Sequence, residues 1–149
     1  MEIFYAMSAG ILGIFAGTQI AEAFLFVPYW KGLEPKAFFL LHKNYGPKIY
    51  KFFAPLTITA AIIPIVTAIC SWYTSSPGMI FSGLMGVFTL LFFCTYFLYF
   101  KKANKSFTDV SLTDAELPIE LEKWEKWHWA RIYLEMAALI CSLIAIIQI

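Results

Sequence analysis

Charge is what this sequence has least of. Lys, Arg, Asp and Glu together make up 14% of the chain, where a soluble domain carries about a quarter. With 60% of its 149 residues hydrophobic and a mean hydropathy of +0.71, the chain has too few polar groups to cover a wet surface, so lipid must be its solvent. The length allows one domain, 1–149. A net charge of +1, with no basic stripe outside the loops, excludes nucleic acid as a partner. Cysteine is scarce and scattered: Cys70, Cys94 and Cys141 all lie inside apolar runs, and none forms a C-x-x-C pair. They read as small buried hydrophobes, which argues against a disulfide framework and a thiol redox enzyme. Period-2 alternation is missing, which removes a membrane β-barrel. No glycine-rich nucleotide loop and no G-x-S-x-G elbow occurs, so nucleotide chemistry and nucleophilic hydrolysis have no support. Residues 1–15 lack the basic start and the small-residue cleavage site of a removable signal peptide, and read as the first span.

What is present is apolar length. A bilayer core of about 30 Å needs roughly 20 apolar residues in a helix. Four runs qualify, Ile3–Val27, Phe52–Tyr73, Met79–Phe100 and Ala130–Ile149, and in hydrocarbon such runs must be helices. The expected architecture is an all-α transmembrane four-helix bundle. Thr74-Ser75-Ser76-Pro77-Gly78 is a short uncharged turn that makes spans two and three a hairpin. All eleven basic residues fall in or beside the other two connections: Lys31, Lys36, Lys43, Lys48 and Lys51 in the first, and Lys101, Lys102, Lys105, Lys123, Lys126 and Arg131 in the second. The positive-inside rule makes that side cytoplasmic and puts both termini outside, in a plasma membrane such as a bacterial inner membrane.

Pro35 predicts a short interfacial helix over Lys36–Tyr45, ended by Gly46-Pro47. Phe38, Phe39, Leu40 and Leu41 would lie on the membrane surface there, with Tyr29 and Trp30 as aromatic anchors. Ser111 and Thr113, ahead of Glu116, carry a capping signal. Pro118 then opens a helix running unbroken into span four, about 48 Å long, whose first turns stand in the cytoplasm. Pro55 and Pro64 bend span two, either around the bundle or to open a cavity. Ala9, Gly13, Gly17 and Ala21 form a small-residue stripe on span one, read as a packing seam within the bundle, or else between subunits of a homo-oligomer.

Ionisable groups within a span are costly and tend to mark function. Glu22 and Glu135 qualify, and the topology puts both at the same depth in the cytoplasmic half. On span four, Trp124, His128, Arg131 and Glu135 share roughly a 60° arc at 100° per residue. Arg131 and Glu135, spaced i,i+4, form an expected ion pair. His42 and His128 are the only histidines, and together they can be read as ligands of a metal or of a haem iron, with haem b the candidate. They equally suit two interfacial side chains.

The run Trp124-Glu125-Lys126-Trp127-His128-Trp129-Ala130-Arg131 resembles the W-x-x-W-[HN]-x-x-R signature of the anthrone oxygenase-like small membrane proteins. Pro28 after span one, Pro55 early in span two and Asn104 after span three add to it. Where that family has Pro-Leu-Asn, this chain has Lys102-Ala103-Asn104, so only the Asn matches. The resemblance implies an oxygenase that uses O₂ to turn an anthrone, or another lipophilic aromatic or quinone-like molecule, into its oxidised form without an obligatory cofactor. Carried over, it implies a site of Trp124, Trp127, His128, Arg131 and Asn104. His128 would take the substrate proton and Arg131 would stabilise the developing oxyanion. Glu135 would hold Arg131, and Glu22 would tune His128. The competing readings are a haem- or metal-binding redox protein using His42 and His128, and a non-enzymatic subunit that binds a membrane ligand or partner. A single arginine is too few for the carboxylate clamps of the glutathione-using eicosanoid-type enzymes, which are also small four-span proteins.

Overall fold

A backbone in hydrocarbon must satisfy its own N–H and C=O groups, and the chain does so almost wholly by helix. A computed structural model describes residues 1–148, and no strand occurs among them. Four helices are long and apolar enough to cross a membrane: α1 Glu2–Lys31, α2 Pro35–Tyr73, α3 Met79–Thr108 and α4 Glu116–Ile147. The last residue of the expected fourth span, Ile149, lies outside the described residues.

The helices form a ring in which each packs against its neighbours in sequence and α4 closes on α1. Pairs at opposite ends show the antiparallel register. Tyr5 bonds Ser71 and Ser8 bonds Thr67 between α1 and α2. A Cβ on Gly78 would lie 2.6 Å from the Ala145 carbonyl at one end of α3 and α4, and Trp124 meets Asn104 at the other. All eleven basic residues therefore lie toward the end of the ring opposite the Ser75–Gly78 turn.

Three expectations are corrected. The helix that opens at Pro35 does not stop at Gly46-Pro47: it runs 39 residues, about 58 Å, through Pro47, Pro55 and Pro64. Tertiary packing overrides the local break. Phe38, Phe39 and His42 are buried against Trp30, Phe107 and the rest of an aromatic cluster, so this segment is a bundle wall and not a surface helix. Trp30 is likewise a core residue, while Tyr29 is exposed. Gly46 lets α3 approach, since a Cβ there would sit 3.3 Å from Thr108 Oγ1.

Second, spans one and three extend beyond Val27 and Phe100, each through a π turn: Glu22–Phe26 in α1 and Tyr96–Phe100 in α3. In each, the following N–H reaches five residues back, from Val27 to Glu22 and from Lys101 to Tyr96. Third, the small-residue stripe is not the bundle seam. A Cβ added at Gly13 or Gly17 would meet nothing within 4 Å, and the buried face of α1 is instead Tyr5, Ser8, Leu12, Phe15, Ala16 and Gln19.

The expected long α4 is present. Its start is a capping box: Thr113 N–H and Oγ1 each donate to Glu116 Oε2 at 2.8 Å, and Glu116 N–H returns a 3.3 Å bond to Thr113 Oγ1. The Thr113 contacts hold the Glu116 carboxyl below its ordinary pKa. Beside it, Lys31 at the end of α1 pairs with Glu122 and Glu125 of α4.

Candidate functional site

The bundle has two apolar layers. One, toward the basic end, is aromatic: Trp30, Phe38, Phe100, Phe107 and Trp124 are among its members. The other, toward the middle, includes Leu12, Phe15, Met85, Phe92 and Ala138. Between them lies a layer of polar side chains from α1 and α4: Gln19, Glu22, His128, Arg131 and Glu135.

The 3.6-residue repeat turns Trp124, His128 and Glu135 inward on α4, and all three are buried. Arg131 Nη2 donates to His128 Nδ1 at 2.8 Å. A guanidinium has no acceptor, so Nδ1 carries the lone pair and Nε2 the proton. That Nε2–H donates to the Gln19 carbonyl at 2.9 Å. The imidazole is thus neutral and fully used. Its face stacks on Trp124, with ring centres 4.8 Å apart, and Trp124 Nε1 donates to Asn104 Oδ1 at 2.9 Å. Arg131 lies over the Phe100 ring at 4.1 Å and 3.8 Å from Glu22 Oε2. The two π turns therefore flank Arg131, one presenting Glu22 and the other Phe100. Such turns are frequent at functional sites.

Beside this layer is a cavity of about 770 Å³, within the size range of small-molecule sites. Glu22, Arg131 and Gln19 form its polar floor, and Trp30, Phe53, Phe93 and Trp124 are among its aromatic walls. Gln19 Oε1 and Arg131 Nε are buried beside it without hydrogen-bond partners. The α2 wall runs from His42 to Ile58 and includes Pro47, and Pro55 lies between wall residues Ala54 and Thr57. Two of the three prolines inside α2 thus fall in the stretch that forms the cavity wall.

The expected site residues divide. Glu22, Arg131, Trp124, Asn104 and His42 face the cavity. His128, Glu135 and Trp127 do not line it: Trp127 is stacked flat on Tyr99 at 5.2 Å, at the outer side of the aromatic layer. His128 is fully buried, and its one lone pair already accepts from Arg131, so it is not placed to take a substrate proton. Glu135 does not hold Arg131 by a hydrogen bond, because both of its buried oxygens are without a partner while the guanidinium bonds His128. Gln19 and Trp30 were not anticipated. An amide inside an apolar run was the available signal for Gln19, whereas nothing in the sequence separates Trp30 from an interfacial anchor.

A bis-imidazole haem or metal site does not fit these residues. Both His128 nitrogens are engaged, and Trp30 and Trp124 stand between the two imidazoles, with Trp30 5.1 Å from His42 and 5.6 Å from Trp124. Among the described residues, no group of three or more His, Cys, Asp or Glu is arranged to hold a metal ion. Comparison with protein families, curated proteins and solved structures finds no match for this chain.

Proposed function

We propose that the chain is an integral membrane oxidoreductase of the oxygenase type, which takes a flat lipophilic aromatic or quinone-like substrate into the α2–α3 cavity and promotes its reaction with O₂. The observation that carries this reading is the cavity floor, where a carboxylate and a guanidinium 3.8 Å apart face an aromatic chamber inside an apolar bundle. The resemblance of the Trp124–Arg131 run to the anthrone oxygenase-like proteins agrees with it and suggests the reaction. Fold-level analogy alone would not carry a function. By the positive-inside rule, the end with the basic residues and the cavity faces the cytoplasm, with both termini outside.

In this mechanism Glu22, which faces the cavity, is the base in place of His128. An anthrone carries acidic C–H bonds opposite its ring carbonyl. Glu22 takes one proton, and the enolate oxygen that forms is stabilised by Arg131. The electron-rich carbon adds O₂ and the adduct is protonated to a hydroperoxide. Loss of the second C–H proton and of water leaves a carbonyl. The balance is anthrone plus O₂ to anthraquinone plus water. His128 is a positioning residue: it holds Arg131 through Nδ1 and anchors it to α1 through the Gln19 carbonyl.

The test is O₂ uptake by the full chain in lipid nanodiscs supplied with an anthrone, corrected for the uncatalysed reaction. The wild type consumes O₂ and forms anthraquinone in a one-to-one ratio. Glu22→Gln and Arg131→Gln lose the rate while keeping their helix content. Uptake no faster than in empty nanodiscs would overturn the enzymatic reading.

A further inference from the structure

The cavity does not open at the end of the bundle alone. Its mouth runs along the α2–α3 seam, where wall residues Phe97 and Ile58 are 60% and 48% exposed. Both fall inside the apolar spans. Further along the same mouth come Lys101, Asn104, Lys105 and Thr108 of α3, all lining residues beyond the apolar run. These four follow at i, i+3, i+4 and i+7, the spacing of one helix face. Phe93 and Phe97 continue that face at i−8 and i−4 from Lys101, deeper in the bundle. One face of α3 thus changes from aromatic to cationic along the length of a single cavity. The ligand that matches such a wall has an apolar body and a charged end.

The sign of that end follows from the charges around the cavity. At the mouth, the lining residues Lys101 and Lys105 face one acid, Asp109, which also lines the cavity and is 3.9 Å from Lys105, a long and exposed contact, while Lys101 makes no ion pair among the described residues. At the floor, Glu22 repels an anion and leaves Arg131 to meet an uncharged carbonyl. Two lysines against one acid leave the mouth net positive, so an anionic head has one favourable place, between Lys101 and Lys105 on the side away from Asp109. Lys102 is exposed but does not line the cavity.

We propose that the cavity selects an amphiphilic organic acid, its carboxylate held at Lys101 and Lys105 and its apolar body inserted sideways between α2 and α3 past Phe97 and Ile58. This rests on the reading of the cavity as a ligand site and adds the substrate class. The acid enters from the bilayer, head at the interface and body in hydrocarbon, without crossing water.

The test uses the full chain in nanodiscs of zwitterionic lipid at mildly alkaline pH. Two probes are titrated, cis-parinaric acid and its methyl ester, and energy transfer from tryptophan is followed, with Trp30 and Trp124 in the cavity wall as the nearest donors. The saturable component gives the affinity after subtraction of empty-site partitioning measured with excess unlabelled oleate. The acid is expected to bind the wild type about five- to tenfold more tightly than the ester. Lys101→Gln/Lys105→Gln brings the acid down to the ester's affinity, and Lys102→Gln leaves it unchanged. Equal affinity of acid and ester in the wild type overturns the inference and leaves the cavity reading standing. An equal loss in Lys102→Gln overturns it too, since general surface charge would then be the cause. No saturable transfer from either probe overturns the inference, and the reading of the cavity as a site for a flat aromatic molecule then stands or falls with O₂ uptake on an anthrone.

Discussion

Arg131 Nη2 donates to His128 Nδ1 across 2.8 Å, and that bond sets the protonation of an imidazole that bridges α4 to α1. The chemical group facing the cavity is the arginine, and the histidine behind it is its support.

Removing that support leaves the guanidinium short of a partner in a buried place, while the Gln19 carbonyl keeps the Glu22 N–H. His128→Ala is expected to lower stability by about 2–4 kcal/mol, read by thermal or SDS unfolding in detergent. Ligand affinity falls as well, because Arg131 is no longer fixed. A variant as stable as the wild type would show that the bridge contributes nothing.

Glu135 behaves in the opposite way. Its buried oxygens have no partner, and it does not reach the cavity. Glu135→Met replaces a stranded polar group with an apolar one of similar size and is expected to gain about 1–3 kcal/mol, with ligand binding unchanged. Loss of binding in this variant would mean that Glu135 belongs to the site.

How much of this was legible in the sequence depends on what distinguishes inside from outside. Four apolar runs and a buried Trp124–His128–Glu135 face on α4 were readable, because length and rare polar residues stand out against a greasy background. The cavity wall was not. Phe53, Phe93 and Phe97 line it, yet phenylalanine suits lipid, core and cavity alike, so periodicity carries no signal there. Gly46-Pro47 is a helix stop by local propensity alone, and the packing of Phe38, Phe39 and His42, which sequence does not show, holds α2 in place through it. A second acid beside Arg131 is not legible in sequence: Glu135 at i,i+4 stands out, whereas Glu22 comes close only through the packing of α1 on α4.

Glycines give a paired prediction. Gly78→Ala puts a methyl 2.6 Å from the Ala145 carbonyl, which forces the hairpin off α4 and is expected to destabilise by about 1–3 kcal/mol. Gly17→Ala meets nothing within 4 Å and is expected to be neutral or to gain up to about 1 kcal/mol of helix propensity. Unfolding midpoints of the two variants check both. A destabilised Gly17→Ala would reveal a packing partner for the stripe.

The tie between α1 and α4 at the basic end is pH-dependent. The hydrogen bond from Lys31 holds the Glu122 carboxyl below its ordinary pKa, and Glu122 in turn raises Lys31. A depressed carboxyl contributes stability above its unfolded pKa and loses it as pH falls through the folded value. The unfolding midpoint of the wild type should therefore drop on acidification below the ordinary carboxylate range more than that of Lys31→Gln. The difference should shrink in high salt, because the pair is exposed. Identical acid profiles would remove this contact from the account.

The central claim is that the space between α2 and α3 receives a flat lipophilic molecule, and filling that space tests it most directly. Ala54 lines the cavity, so Ala54→Trp places an indole in it and obstructs the space a flat ring system would need, while Glu22 and Arg131 are kept. Equilibrium binding of radiolabelled anthraquinone to the full chain in nanodiscs is the measurement. The account predicts saturable binding to the wild type, and its loss in an Ala54→Trp variant that unfolds at the wild-type midpoint. Unimpaired binding to the filled variant, or no saturable binding to the wild type, contradicts it.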